Sequence, residues 1–122
     1  MQRQDIETLV ERGFLSTNER QALNQLTAEL KASWQRVKVM LYGSKVKGTA
    51  DKESDIDILI LLPCGVTEDL RRQIIHKVFD VNLLSETNIS VLIMSKHEWE
   101  SDKFSFLPIH SIIEEEGVPL YE

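Results

Sequence analysis

Ten residues separate Gly43-Ser44 from a pair of acids, Asp55 and Asp57, that stand two positions apart. In an extended strand, residues at i and i+2 project from the same face, so the two carboxylates lie side by side. Like charges at the head of an apolar strand repel, and a cation between them relieves the repulsion. A hard divalent ion such as Mg²⁺ takes few protein carboxylates and completes its shell with water and substrate phosphates. Gly43, having no side chain, lets a bulky anion reach the backbone. Its N–H and the Ser44 hydroxyl can donate to phosphate oxygens. Lys45 and Lys47 follow directly and can screen the charge of a triphosphate. The chemistry these residues suit is binding of a phosphorylated ligand together with Mg²⁺.

Two strands must position that pair. Val37, Val39 and Leu41 alternate with Lys38 and Met40, the pattern of a strand ending near Tyr42. A second runs from about Asp55 to Leu62, apolar on both faces in its downstream half, and stops at Pro63. A strand apolar on both faces belongs in the middle of a sheet. Residues 1–16 read as a short helix or a mobile start. Ser16 and Glu19 form a capping box before the stripe Ala22, Leu23, Leu26 and Leu30, which predicts a helix from Asn18 to Ser33. Thr67 caps a further helix whose stripe is Leu70, Ile74, Ile75, Val78, Val81 and Leu84. A third strand follows, Asn88 to Met94. Ser95 caps a short turn through Glu98, Trp99 and Glu100. Pro108 opens a last helix, Ile109 to Glu116, with Gly117 as its C-terminal cap. Val118–Tyr121 reads as a terminal strand or an extended tail. The alternation predicts an α/β or α+β sheet with helices packed on it.

The 122 residues suit one domain, 1–122. Hydrophobic residues at 42% and charged residues at 28% are ordinary for a folded chain and exclude disorder. The longest apolar run, Ile58–Leu62, is far too short to span a membrane, and the polar opening Met1–Asp5 leads into no apolar export signal. The expected compartment is the cytoplasm. The single Cys64 excludes an internal disulfide and has no nearby histidine to make it a nucleophile. A net charge of −6 gives no global pull toward nucleic acid. His76, His97 and His110 share no metal-ligand spacing and read as surface or structural residues. Arg71-Arg72 reads as a solvated helix face. Trp34, Trp99, Phe104 and Phe106 read as core or cover, with Lys103–Leu107 the alternative as a partner surface. Glu114–Glu116 places negative charge at a helix C-terminus, where the dipole disfavours it, and asks for a cation nearby.

Leu41-Tyr42-Gly43-Ser44-Lys45-Val46-Lys47-Gly48-Thr49-Ala50, followed by Glu53-Ser54-Asp55-Ile56-Asp57-Ile58-Leu59, resembles the signature of the DNA polymerase β-like nucleotidyltransferases. The nearest likeness is to the minimal, single-domain branch. Trp99 and Ile113–Val118 are similar to that branch's closing segment. The resemblance implies a mixed sheet packed with helices, with an active site at the sheet edge. It implies that Gly43 and Ser44 hold the β- and γ-phosphates, with Lys45 and Lys47 beside them. Asp55 and Asp57 would bind Mg²⁺, and an acceptor hydroxyl would displace pyrophosphate from a triphosphate, most simply ATP. Minimal members commonly pair with a small helical HEPN-domain protein as the antitoxin of a toxin–antitoxin pair, so a protein partner is the expectation, with self-association open. The sequence departs from the family at one place. Active members carry a third carboxylate on a neighbouring strand, whereas Asn88–Met94 holds no acid. Asn88 or Ser90 stands there, and Glu86 lies two residues before the strand. The alternative is a catalytically degenerate nucleotide-binding module that neutralises or scaffolds its partner by contact.

Overall fold

The capping box forms as the sequence predicts. Ser16 Oγ accepts from the N–H of Glu19 at 3.0 Å, and Glu19 Oε1 accepts from the N–H of Ser16 at 2.9 Å. This is a computed structural model, and it describes residues 5–51 and 53–120. The box opens α2 (Thr17–Ser33), which is preceded by α1 (Ile6–Glu11). Residues 1–4 of the expected start lie outside the described residues. Then come β1 (Lys38–Tyr42), a single turn α3 (Ser44–Lys47), β2 (Ile56–Leu62), α4 (Glu68–Ser85) and β3 (Ile89–Ser95). The chain continues through α5 (Lys96–Trp99), α6 (Asp102–Ser105), α7 (Pro108–Glu116) and β4 (Val118–Pro119).

The four strands form one mixed sheet in the order β3-β2-β1-β4. β1 pairs antiparallel with both β2 and β4, while β3 lies parallel to β2 after the α4 crossover. β2 is therefore an inner strand, as its two-faced apolar sequence requires. Its alternation divides two cores. Ile56, Ile58, Ile60 and Leu62 face α1, α2 and α4, while Leu59 and Leu61 join Met94, Trp99 and Ile113 under α5–α7. Each such aliphatic side chain, fully buried, contributes about 1.5–3 kcal/mol. The first core holds most of them.

Several local expectations are corrected. In α4 only Ile74, Val78 and Val81 are buried, with Leu70 packed at the margin. Ile75 and Leu84 face outward instead, because one helix face is all the sheet and α2 can cover. Phe106 is exposed, not a cover residue. The one-turn α6 is too short to carry a periodicity and has no counterpart among the expected elements. Gly117 does cap α7, its N–H donating to the Ile113 carbonyl at 2.8 Å, but with φ −62° rather than in a left-handed conformation. Glycine is required there for space: a Cβ would lie 2.5 Å from the Ile113 carbonyl oxygen and 2.9 Å from Met40 Cε. The cation asked for by the acidic end of α7 is Lys47, whose Nζ lies 3.6 Å from Glu116. Glu114 instead accepts from Trp99 Nε1 at 2.8 Å, and His110 stacks on that indole with centroids 4.5 Å apart. His76, His97 and Cys64 are exposed.

Candidate functional site

The two halves of the motif meet at the ends of the inner strands. Tyr42, the last residue of β1, stands opposite Asp57 near the start of β2. The chain then turns at Gly43 with φ +86° and ψ −152°, a conformation essentially confined to glycine. A second reason for glycine is close approach: a Cβ on Gly43 would lie 2.7 Å from Asp57 Oδ2. The Asp57 carboxylate thus rests against the Gly43 backbone, across the ten-residue gap. Gly43 caps the single turn α3, its carbonyl accepting from the N–H groups of Val46 at 3.1 Å and Lys47 at 3.3 Å.

Pleating sends Asp57 to the same sheet face as Leu59 and Leu61, toward the α5–α7 side. Burial raises the Asp57 pKa above the usual carboxylate value, and the Asp55 charge raises it further. Burial also raises Tyr42, with Asp57 adding to it. No ion-pair partner or hydrogen bond engages the Asp57 side chain among the described residues. Two adjacent, mutually repelling carboxylates suit a divalent ion. Asp55 and Asp57 therefore fit Mg²⁺, with Asp55 accepting one hydrogen bond, from Asn88 Nδ2.

The strand that should carry a third acid is placed by the parallel pairing. Its register sets Ser90 beside Asp57. Asn88 and Ser90 thus each stand next to one of the aspartates. Among the described residues, no cluster of three His, Cys, Asp or Glu side chains is placed to hold a metal. Glu86 ends α4 in a left-handed conformation, φ 54°, and lines a different concavity. That groove, of about 970 Å³, is also lined by Phe14, Ser16, Glu19, Lys45 and Asn88, but not by Asp55 or Asp57.

The two lysines are separated by the fold. Lys45 is buried, and its Nζ bonds Glu19 Oε2 at 2.9 Å, so it ties α3 to α2. It is not a free cation at the turn. Lys47 is exposed, and its pair with Glu116 is a surface contact of about 0–1 kcal/mol, weak enough to exchange for a phosphate. The resemblance implies a site at the sheet edge, whereas it sits at the end of the two inner strands. Sequence reasoning missed Asn82. Its side chain accepts from the N–H of Ile89 at 2.9 Å and donates to the Ile89 carbonyl at 3.1 Å, pinning the start of β3. A polar side chain directly after buried Val81 on an amphipathic helix was the available signal.

Comparison with known proteins agrees with this geometry. Among solved structures, a chain of one described as "Crystal structure of the toxin-antitoxin with AMP-PNP" is similar, with a TM-score of 0.54 at 15% identity. The match covers 80% of this chain and 72% of that one, and at such identity it shows the fold. No curated protein matches the sequence. A family model described as "Nucleotidyltransferase domain" matches residues 23–120, a span that holds Gly43-Ser44, both aspartates and the whole four-stranded sheet. The chain belongs to the nucleotidyltransferase domain family.

Proposed function

We propose that this chain transfers a nucleoside monophosphate, AMP from ATP, to a hydroxyl of a HEPN-type partner protein, as the antitoxin of a toxin–antitoxin pair. The observation that carries the reading is the contact of the Asp57 carboxylate with the Gly43 backbone, which joins a phosphate-binding turn to a metal-binding pair. Gly43 leaves the backbone open to the β- and γ-phosphates, and the Ser44 hydroxyl donates to them. Lys47 leaves Glu116 to screen their charge, while Lys45 stays with Glu19 and holds the turn in place. Asp55 and Asp57 would hold Mg²⁺, which when bound neutralises phosphate charge and polarises the α-phosphate toward attack. The AMP-PNP and toxin–antitoxin context of the similar structure supports a nucleotide and a protein partner.

A second reading is favoured by Ser90. It stands beside Asp57, where an acid would otherwise add a metal ligand and a base. A serine hydroxyl is no base of useful pKa for the acceptor's proton. On that reading the chain binds nucleotide and neutralises its partner by contact alone.

One experiment separates them. The chain is incubated with ATP labelled in its α-phosphate, Mg²⁺ and the product of its neighbouring gene. Label on the partner that disappears with EDTA and in the Asp55→Asn/Asp57→Asn double variant is the expected result. Transfer undiminished in that variant would refute the assignment. A stable complex without label would select the contact-only reading.

A further inference from the structure

We propose that Asn88 is a positioning residue that biases the aspartate pair toward a small octahedral dication, Mg²⁺ or Mn²⁺, and against Ca²⁺. This rests on the reading of Asp55 and Asp57 as a metal pair and adds what selects the ion. Asn88 Nδ2 donates to Asp55 Oδ1. An ionised carboxylate only accepts, so the amide must turn its NH₂ toward Asp55. No other hydrogen bond or ion pair engages the Asp55 side chain among the described residues, which leaves Oδ2 open.

The backbone fixes Asn88 for this contact. Its carbonyl accepts from the N–H of Ile56, the residue after Asp55, at 2.9 Å. The next residue, Ile89, is held at both its N–H and its carbonyl by Asn82. Only the short side chain of Asn88 remains to be ordered, so the bond costs little further entropy. A hydrogen bond to an ionised acceptor is also among the stronger kinds. Oδ1 therefore faces a partly positive N–H, and a dication approaching it would meet like charge. The ion is left Oδ2, a contact through one oxygen. Asp57 is constrained in a similar way, since its Oδ2 is turned onto the Gly43 backbone. Mg²⁺ takes single oxygens in a tight octahedron, at about 2.0–2.1 Å, and completes it with water and phosphate. Ca²⁺ takes roughly 6–8 oxygens at about 2.3–2.6 Å and gains more from a carboxylate that offers both. Withholding one oxygen of Asp55 thus costs Ca²⁺ more than Mg²⁺.

Mn²⁺ binding to the whole chain tests this. Electron paramagnetic resonance reads the loss of free Mn²⁺, with Mg²⁺ and Ca²⁺ as competitors. The quantity compared is the Ca²⁺ concentration that displaces half the bound Mn²⁺, divided by the Mg²⁺ concentration that does so. Asn88→Leu keeps the shape without the donor, and Asn88→Ala removes the side chain. Both keep the backbone bond to Ile56 that holds the strand. In both, the ratio should fall about tenfold from wild type, the size of effect usual when a group that orients a metal ligand is removed. Loss of a merely structural contact would change both ions alike and leave the ratio where it was. An unchanged ratio in both variants would overturn the proposal while the aspartate pair stood. Mn²⁺ bound equally well by wild type and Asp55→Asn/Asp57→Asn would refute the metal pair itself, and this selection with it.

Discussion

At the scale of single residues, the site is held in an unfavourable electrostatic state. Asp57 has no ion-pair partner among the described residues, and its pKa is raised by burial first and by the Asp55 charge second. A carboxyl whose folded pKa exceeds its unfolded value destabilises the fold when ionised. That cost is present above the folded pKa and fades as pH falls through it. Asp57→Asn should therefore be more stable than wild type at pH 7, by roughly 0–1 kcal/mol given the solvent that still reaches the site. The advantage should close on acidification, as wild-type Asp57 takes up its proton. Thermal unfolding across pH checks this, and an advantage that grew in acid would contradict the account. Trading stability for a charged site is a common cost of function.

At the scale of elements, Glu19 does two jobs with its two oxygens. Oε1 completes the capping box of α2, while Oε2 pairs with the buried Lys45 of α3. The start of α2 and the turn at Gly43–Lys47 are thus fastened by one side chain. Ser16→Ala should cost about 1 kcal/mol, the ordinary loss of an N-cap. Glu19→Gln keeps an acceptor for the box but leaves the Lys45 ammonium buried without a counter-charge, and should cost about 3 kcal/mol. Urea unfolding distinguishes the two, and equal losses would show that the ion pair adds nothing. Asn82 acts similarly on β3, where its bonds to Ile89 set the strand that carries Ser90.

At the scale of the whole molecule, strand order decides which chemistry the aspartates share. The crossover through α4 lays β3 parallel to β2, and this alone brings Ser90 beside Asp57. An acid there should make a third ligand. Ser90→Asp is expected to bind Mn²⁺ or Mg²⁺ more tightly, by calorimetry, while losing roughly 0.2–1 kcal/mol of metal-free stability to like-charge repulsion. Metal affinity no better than wild type would show that position 90 does not share the aspartates' space. The same packing leaves one face of α4 uncovered, and among the described residues no helix is long and apolar enough to cross a membrane.

Most of the elements follow from amino-acid order, because caps, prolines and apolar periodicity act within a few residues. The Ser16–Glu19 box, the Thr67 cap, the inner position of β2 and the meeting of the Gly43 turn with Asp57 are all legible in the chain's residue types and spacing. What is not legible there depends on neighbours distant in the chain. Periodicity counts Ile75 and Leu84 as core, yet the sheet and α2 cover only one side of α4. Lys45 and Lys47 look alike in sequence, but the turn of α3 buries one against Glu19 and sends the other to Glu116. Gly117 is legible as the helix cap it is, but not the space requirement that Met40 and Ile113 impose on it. These outcomes belong to tertiary packing: a local pattern fixes the direction of a side chain relative to its own element, while its partner is set by where the other elements pack.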